Sequence, residues 1–379
     1  MGAWALSLAM APVALGEPPL AELGPPHLQD AQTAPIVQLV GGGSHTCALR
    51  ADGRVSCAGL GSFGQLGHSR VEALLRPQVV AGLVGAVELA AGRYFTCMRR
   101  ANGQVGCVGE GGQLGVVPAH QSRQPRWLAG VPRARQMSAG ATHSCLVDEA
   151  GQVWCWGSNE AGQLGVETPR PYALLPVKVA APGLGFVRQV ATGNAHTCAL
   201  TDAGEVTCWG QDTFGQAGGE IAVRRLAERG QSPVRVVAGA FHTCVQTAGG
   251  ALGCLGRNDR GQLGSRNGPD SQGFHWAAVP PVAEVALGAD HTCVCTRTGQ
   301  VWCFGDNHFG QLGRGGQTRY GTPAAVPLPG PCAQLAAGEA HTCVLLAQSQ
   351  AVYCFGRNGG QLGDGSAETR VQPVRSLPF

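Results

Sequence analysis

Seven copies of one short pattern run through almost the whole chain, and this repetition restricts the fold more than any other feature. Each copy opens with a segment close to Gly-x-x-His-Thr-Cys, continues to a second cysteine and ends with Gly-Gln-Leu-Gly; the departures are Phe95 for histidine, Ser144 for threonine, and Gly-Gln-Ala-Gly at Gly215. The opening segments are Gly42–Cys47, Gly92–Cys97, Gly140–Cys145, Gly193–Cys198, Gly239–Cys244, Gly288–Cys293 and Gly338–Cys343. The cysteines that end them lie 50, 48, 53, 46, 49 and 50 residues apart. A period of this length is typical of repeat proteins in which each copy is one supersecondary unit.

The residues around the two cysteines of each copy predict a β-hairpin. In the fourth copy, two short alternating runs, Thr197–Thr201 and Glu205–Trp209, flank a three-residue loop that ends in Gly204. Such loops hold their last residue in the left-handed conformation, which glycine adopts without penalty. The seventh copy departs from the pattern, because its loop at residues 347–350 is one residue longer and lacks glycine.

Two further strands per copy follow from the flanking runs. A short apolar run with small residues, such as Val87–Ala91, precedes each opening segment and suits a crowded inner strand. A proline-containing run, such as Pro176–Val179, follows the Gly-Gln-Leu-Gly turn and suits an outer edge strand, where proline is tolerated. The sequence therefore predicts an all-β fold, a seven-bladed β-propeller of four-stranded blades over residues 36–379. A solenoid would need polar capping repeats, which neither end carries. The ring could close by packing the first unit on the last or by exchanging a strand between the ends.

The repeats resemble those of the regulator of chromosome condensation family, as His196–Leu200 with Asp202–Gly210, and Val153–Gly165, illustrate. The resemblance covers about residues 36–379 and implies the propeller, but this fold hosts unrelated functions. Resemblance to the nuclear members implies nucleotide exchange on a small GTPase and chromatin binding. Those members carry a wedge-like insertion in one blade, and no copy here is long enough to contain it. Plant light-sensing members stack loop tryptophans that are absent here. Exported bacterial members include inhibitors that clamp β-lactamases with one propeller face, and this analogy suits the chain best.

Fourteen of the sixteen cysteines fall into pairs that face each other in the predicted hairpins. Counting from the loop, each pair occupies a non-hydrogen-bonded position, where Cα atoms approach to about 4.5 Å, within the range that a disulfide accepts. The alternatives are buried free thiols, or zinc ligands that would lack two further donors. The predicted disulfides join Cys47 with Cys57, Cys97 with Cys107, Cys145 with Cys155, Cys198 with Cys208, Cys244 with Cys254, Cys293 with Cys303, and Cys343 with Cys354.

Two cysteines remain outside these pairs. Cys295 occupies a position that leucine holds in other copies, and Cys332 occupies the position of Ile36 and Val187. Both lie between the sixth and seventh copies, so an eighth bridge between them is possible. An even number of cysteines in this pattern fits an exported, oxidised protein.

The N-terminal residues carry some features of a secretory signal. Residues 3–15 are uncharged and mostly apolar, too short to span a bilayer, and Ala14 and Gly16 precede a possible cleavage before Glu17. No lysine or arginine precedes the apolar run. We expect a possible signal peptide over residues 1–16, a linker or N-terminal arm over 17–35, and a secreted, periplasmic or cell-surface location, with a cytoplasmic one as the alternative. No later segment is long and apolar enough for a transmembrane helix.

The recurring polar residues do not predict catalysis. Six histidines share one position: His45, His143, His196, His242, His291 and His341. Equivalent residues of a seven-bladed propeller lie too far apart to share one metal ion, so we interpret them as hydrogen-bonding ties between neighbouring loops. The Gly-Gln-Leu-Gly turns lack the lysine and hydroxyl of a phosphate loop. The sequence therefore predicts no enzyme, metal or cofactor, and its net charge of +3 is too small to indicate nucleic acid.

Binding remains as the predicted function. Each Gly-x-x-His loop offers two variable residues, and a rigid scaffold with variable loop tips is a common recognition device. The candidate partner-binding tips are Arg93, Tyr94, Asn194, Phe241, Asp290 and Glu339. We therefore expect a non-catalytic, exported, disulfide-braced scaffold that binds a protein or cell-surface polymer. The alternatives are a guanine-nucleotide exchange factor for a small GTPase, an extracellular enzyme inhibitor and, last, a propeller enzyme.

Overall fold

Seven antiparallel sheets follow one another along the chain, each formed by consecutive strands, and together they make the seven blades of a propeller. The computed structural model describes residues 34–68, 72–180, 184–218, 232–265 and 268–379. The predicted signal peptide and all but the last two residues of the predicted linker lie outside these ranges. Within them, no helix has the length and apolar character needed to cross a bilayer.

The strand bounds repeat from blade to blade. Blades 1 to 3 consist of β1 (Ile36–Gly41), β2 (His45–Arg50), β3 (Val55–Gly59) and β4 (Leu74–Val79); β5 (Ala86–Ala91), β6 (Phe95–Arg100), β7 (Val105–Gly109) and β8 (Ser122–Trp127); and β9 (Ala134–Ala139), β10 (His143–Asp148), β11 (Val153–Ser158) and β12 (Tyr172–Lys178). Blades 4 and 5 consist of β13 (Val187–Thr192), β14 (His196–Thr201) and β15 (Val206–Gly210); and β16 (Pro233–Ala238), β17 (His242–Thr247), β18 (Leu252–Gly256) and β19 (Ser271–Trp276). Blades 6 and 7 consist of β20 (Val282–Leu287), β21 (His291–Thr296), β22 (Val301–Asn307) and β23 (Thr318–Ala325); and β24 (Cys332–Ala337), β25 (His341–Leu346), β26 (Val352–Gly356) and β27 (Arg370–Arg375). Residues 81–83 and 111–113 form short 3₁₀ turns.

The order of strands within a blade agrees with the sequence prediction. The run before each Gly-x-x-His segment is the first strand of its sheet, and the proline-containing run is the outer edge. Blade 4 contributes three strands to the described part of the chain, in which residues 219–231 are not included.

The central hairpins have the register that the cysteine spacing predicts, with the two cysteines of each blade directly opposite each other. In all seven blades the paired sulfur atoms are at disulfide distance, and the Cα atoms lie 4.0 to 4.2 Å apart, slightly closer than expected. Each blade therefore carries one covalent clamp across its two middle strands. In blade order, the clamps join Cys47 to Cys57, Cys97 to Cys107, Cys145 to Cys155, Cys198 to Cys208, Cys244 to Cys254, Cys293 to Cys303, and Cys343 to Cys354.

The hairpin loops explain why six copies end their loop in glycine. Gly204 has φ +81°, and the five equivalent glycines lie between +73° and +88°. In the longer seventh loop the left-handed position falls to Gln350, with φ +53°. Its side-chain carbonyl accepts a hydrogen bond from the amide of Ile36 at 3.1 Å, so this exceptional loop contacts the first strand of the chain.

Blades are joined by apolar side chains and by side-chain amides. Leu66, from the first Gly-Gln-Leu-Gly turn, is buried in a cluster that includes Leu83, Leu89 and Met98 of the next blade. Near the axis, Gln38 donates to the carbonyl of Leu89 and accepts from its amide, at 2.9 and 2.7 Å. Equivalent paired bonds extend from three other inner strands, through Gln136, Gln189 and Gln334.

The ring closes by packing blade 7 against blade 1. The Nε2 atom of His341 lies 2.9 Å from the Oγ1 atom of Thr46, and the amide of Leu39 donates to Gln334 Oε1 at 3.1 Å. The described strands of these two blades are consecutive in sequence, so no strand passes from one end of the chain into the sheet of the other. Of the two closures that the sequence left open, the structure has the direct one.

Candidate binding face

Two loops of every blade lie on one side of the ring, which we call the GxxH face. The first loop joins the inner strand to the second strand and contains the Gly-x-x-His segment. The second loop follows the third strand and leads into Gly-Gln-Leu-Gly. In blade 5 the amide of Arg257, in the second loop, donates to the carbonyl of Phe241, in the first, at 2.9 Å. Corresponding bonds hold the two loops together in the other six blades.

The recurring form of the first loop follows from the position of its histidine. A Cβ atom on Gly42 would lie 2.1 Å from Cε1 of His45, so the imidazole ring occupies the space that a side chain would need. The ring is fully buried, and its Nε2 atom reaches Thr96 Oγ1 of the next blade at 2.8 Å. The same contact, at 2.8 to 3.0 Å, joins His143 to Thr197, His196 to Thr243, His242 to Thr292, His291 to Thr342 and His341 to Thr46.

The protonation of these histidines is fixed by their partners. Thr243 Oγ1 donates its proton to the carbonyl of Gln216 at 2.8 Å, so it can only accept from His196, whose Nε2 must carry hydrogen. Burial lowers the pKa of His45, His196 and His291 to about 4, and that of His143, His242 and His341 to about 3. The histidines are therefore neutral at pH 7 and tie one blade to the next, as predicted. Among the described residues, no group of three or more His, Cys, Asp or Glu side chains could hold a metal ion.

One blade interface lacks this tie. Phe95 takes the place of histidine in blade 2, and Ser144 takes the place of the facing threonine in blade 3. Both are buried, and the hydroxyl of Ser144 has no hydrogen-bond partner among the described residues. At the histidine position, the interface between blades 2 and 3 is therefore held by an aromatic ring instead of a polar pair; nearer the axis, the amide of Met137 donates to Glu88 Oε1 across the same interface at 3.1 Å.

Five of the six predicted loop tips surround a cavity of about 380 Å³ at the centre of the GxxH face. These are Arg93, Asn194, Phe241, Asp290 and Glu339, and the rest of the lining is mostly glycine and alanine. Arg93 Nη2 lies 3.3 Å from Glu339 Oε1, so an exposed ion pair joins blades 2 and 7 across the glycines of blade 1. The sixth tip, Tyr94, lies outside the cavity lining.

Three clusters of aromatic and arginine side chains complete the face, each over a blade interface. Phe63 and Tyr94 stack with ring centres 4.6 Å apart, and the Arg93 guanidinium lies 5.2 Å from the Tyr94 ring centre. Phe309 of blade 6 lies 5.4 Å from the guanidinium of Arg357 of blade 7. The third cluster lies between blades 4 and 5.

In that third cluster, Phe214 and Phe241 pack edge to face with ring centres 5.5 Å apart. The Arg257 guanidinium lies 5.5 and 5.7 Å from the two ring centres. It is held there by Asp259 at 2.8 Å and by Asp290 of blade 6 at 3.5 Å. Burial raises the pKa of Asp290, against the opposing effect of Arg257. The arginine is thus fixed against the aromatic rings before any partner arrives.

Sequence reasoning missed the second loops. It identified Phe241 and Tyr94 but not Phe63, Phe214 or Phe309, nor Arg257 and Arg357. A signal was available, because phenylalanine directly precedes the Gly-Gln-Leu-Gly turn in the first, fourth and sixth copies. The loops of blades 3 and 7 contain no Phe, Tyr or Trp, which makes the face unequal around the ring.

The geometry of the repeats agrees with comparisons to known families. The family description RCC1-like domain matches residues 109–378, and the regulator of chromosome condensation (RCC1) repeat matches residues 36–65. The chain belongs to the RCC1 family. The resemblance inferred from the repeats is therefore confirmed.

Solved structures with the same fold include a yeast protein, a human protein and the ectodomain of a plant receptor kinase. Prp20p from Saccharomyces cerevisiae, described with its binding to Gsp1p and histones, is 20% identical, with TM-score 0.75 and coverage of 92% of this chain and 89% of that one. Human WBSCR16 is 23% identical, with TM-score 0.75 and coverage of 86% and 94%. The CRINKLY WD40 ectodomain of the Arabidopsis thaliana receptor kinase ACR4 is 19% identical, with TM-score 0.56 and coverage of 91% and 100%. At these identities, the likeness to the three structures shows that this RCC1-family chain shares their fold.

Proposed function

We propose that this RCC1-family propeller is a non-catalytic, exported scaffold that binds a partner protein through its GxxH face. The observation that carries the proposal is the set of three aromatic–arginine clusters over the blade interfaces. Aromatic residues, phenylalanine included, and arginine are enriched at protein–protein interfaces, and ordered aromatic side chains give contact area at little entropic cost. Relatives support protein binding in general, since the RCC1 protein Prp20 has been solved bound to Kap60.

The rigidity of the ring favours recognition by shape. Seven disulfides, six His–Thr ties and the paired glutamine bonds fix the loops that display the clusters. Binding therefore loses little loop entropy, which is a general source of affinity in preorganised surfaces.

Export is the second part of the proposal, and the disulfides support it. Disulfides persist in oxidising compartments and are rare where glutathione keeps thiols reduced. The paired cysteines are at most two per cent exposed in every blade except the fourth, so these disulfides lie inside the blades and not on the surface. Intact-mass analysis of protein from its native host, before and after reduction and with the N-terminus sequenced, tests this part. Retention of free thiols at all cysteines would refute it.

The binding part is tested by a matched pair of surface variants. Phe241→Ala with Arg257→Ala removes one cluster from the GxxH face. The control is Phe186→Ala with Arg135→Ala, since this pair has the same chemistry, with guanidinium 4.8 Å from the ring centre, but lies at the start of an inner strand on the opposite face. Extracellular proteins are captured by the wild type, identified, and titrated as purified partners. We expect binding at least about tenfold weaker for the first variant and unchanged for the control. Equal weakening by both pairs would refute use of the GxxH face.

A second candidate function is nucleotide exchange on a small GTPase, which the family resemblance implies and the binding of Prp20p to Gsp1p favours. It is tested by release of a fluorescent guanine nucleotide from purified small GTPases of the same host. Acceleration by the wild type would establish exchange and displace the non-catalytic proposal.

A further inference from the structure

The two cysteines outside the blade clamps meet at the interface between blades 6 and 7. Cys295 lies in the second strand of blade 6, and Cys332 begins the inner strand of blade 7. The Sγ atom of Cys295 is 3.3 Å from the carbonyl oxygen of Cys332, and the two thiols are in side-chain contact without a bond between them. Both belong to the apolar cluster that fills this interface.

The same two positions hold ordinary apolar pairs at other interfaces. Between blades 7 and 1 they are Leu345 and Ile36, which share one buried cluster, and between blades 1 and 2 they are Leu49 and Ala86. Packing at this position therefore does not need sulfur. Two cysteines facing each other at one interface suit a chemical role that leucine and isoleucine cannot supply.

The contact is within reach of a covalent bond. The two side chains are in contact, and the Sγ atom of Cys295 lies 3.3 Å from the carbonyl oxygen of Cys332, so a side-chain rotation would bring the two sulfur atoms together. Cys295 and Cys332 also line a surface cavity of about 550 Å³, together with Glu284 and Arg297. A small thiol oxidant can therefore approach them from solvent.

We propose that Cys295 and Cys332 form an eighth disulfide, which would be the one disulfide in the described part of the chain that joins two blades. The two S–H bonds break, one S–S bond forms, and two protons and two electrons leave. The electrons reduce an oxidant of the disulfide class, such as oxidised glutathione or the disulfide of a thiol oxidase, to two thiols. The inference rests on the oxidising environment of the proposed function.

The bond would join blades 6 and 7 on the side opposite the GxxH face, because Cys332 begins the inner strand of blade 7 and Cys295 lies near the end of the second strand of blade 6. At the other end of the same interface lie the Phe309–Arg357 cluster and a backbone hydrogen bond of 3.2 Å from the amide of Ala289 to the carbonyl of Glu339, so the bond would hold together the two blades that carry them. The side-chain contact with Cys295 and burial raise the pKa of Cys332, which makes its thiolate scarce in the folded ring.

The test is alkylation of the full chain in denaturant without reductant, followed by intact mass and a non-reducing peptide map. Protein from an oxidising compartment should carry no label before reduction, and the map should contain one species joining the Cys295 and Cys332 peptides. Two labels, at Cys295 and Cys332, with the other fourteen cysteines bonded would overturn this inference and leave export standing. Labels on all sixteen cysteines would refute export itself.

Two variants separate pairing from folding. Cys332→Ser should expose one labelled thiol, at Cys295, and keep the seven clamps; no label would mean that Cys295 bonds elsewhere and would overturn the proposal. The double variant Cys295→Leu with Cys332→Ile restores the residues of the interface between blades 7 and 1. It should fold with seven disulfides and unfold at lower denaturant concentration than the wild type, whereas an unchanged midpoint would show that no eighth bond constrains the chain.

Discussion

The interface between blades 2 and 3 and the other six interfaces solve the same packing problem with different chemistry. In the six, a buried imidazole lies against a glycine and bonds to a threonine of the next blade. In the exceptional one, the Phe95 ring occupies the same space, where a Cβ atom on Gly92 would lie 2.2 Å from its Cε1 atom. Ser144 replaces the threonine opposite.

A flat ring packed beside a glycine is common to all seven interfaces, whereas the hydrogen bond to a threonine is present at six of them. Both residues depart from the pattern at the same interface, where the hydroxyl of Ser144 has no hydrogen-bond partner among the described residues. Phenylalanine has no hydrogen-bond donor in its side chain, and its apolar area stabilises the contact by burial. The two kinds of interface should therefore respond differently to pH and to substitution.

The largest difference is expected on acidification. The six histidines have folded pKa values of about 3 to 4 and an unfolded value near 6.5, so the unfolded chain binds more protons between these limits. Their contribution is complete above pH 6.5 and is lost as pH falls toward 4, with a slope of up to about 8 kcal/mol per pH unit for six groups. Raised pKa values of Glu88, Glu284 and Asp290 act in the opposite sense.

Denaturant unfolding of the oxidised protein at several pH values measures this slope. A midpoint that stays constant between pH 7 and 5 would contradict the neutral, buried state of the histidines. His196→Gln should reduce the proton uptake on unfolding by about one proton, whereas Phe95, which does not titrate, should contribute nothing to the slope.

Removal of the aromatic ring gives the next largest effect. Phe95→Ala should destabilise the fold by about 3–5 kcal/mol, because the residue is fully buried between blades and a cavity would remain. Denaturant titration followed by tryptophan fluorescence measures it, with Phe241→Ala, on the partly exposed face, as a control that should change stability far less. A loss below about 1 kcal/mol for Phe95→Ala would mean that the ring does not hold this interface.

The hydroxyls of Thr243 and Ser144 should contribute differently to the free energy of unfolding. Thr243→Val leaves the His196 donor and the Gln216 carbonyl unpaired, for a loss of about 1–3 kcal/mol. Ser144→Ala removes a buried hydroxyl that has no partner among the described residues, and should leave the stability unchanged or slightly raise it. Equal losses for the two variants, measured by the same titration, would erase the distinction between the interfaces.

The smallest expected effect is a coupling free energy between residues 95 and 144, which should appear when Phe95 is replaced by the histidine found at the other six interfaces. Phe95→His places a donor opposite Ser144, so Ser144→Ala should become more harmful in that background, by about 0.5–1.5 kcal/mol. A double-mutant cycle of the four proteins measures this coupling. A value of zero would show that the two side chains do not meet as the six His–Thr pairs do.

Much of this architecture was accessible from sequence because it is local. Hairpin register depends on loop length, so the spacing of Cys198 and Cys208 predicted their direct pairing, and Gly204 predicted the left-handed position. The inner and outer strands followed from small residues and from proline. The histidine ties were predicted in kind, although their partners, threonines one residue after the next histidine position, were not named.

The sequence alone therefore determined the number of blades, which is the number of repeats. It also determined the strand order and the cysteine pairing of each blade, since both depend on contacts within one repeat. Only the tertiary structure decided what lies next to what across repeats. The contact of Phe214 with Phe241, the pairing of Arg93 with Glu339 and the meeting of Cys295 with Cys332 all join different blades. Such contacts depend on how the repeats are rotated about the common axis, and periodicity within a repeat carries no information about that rotation.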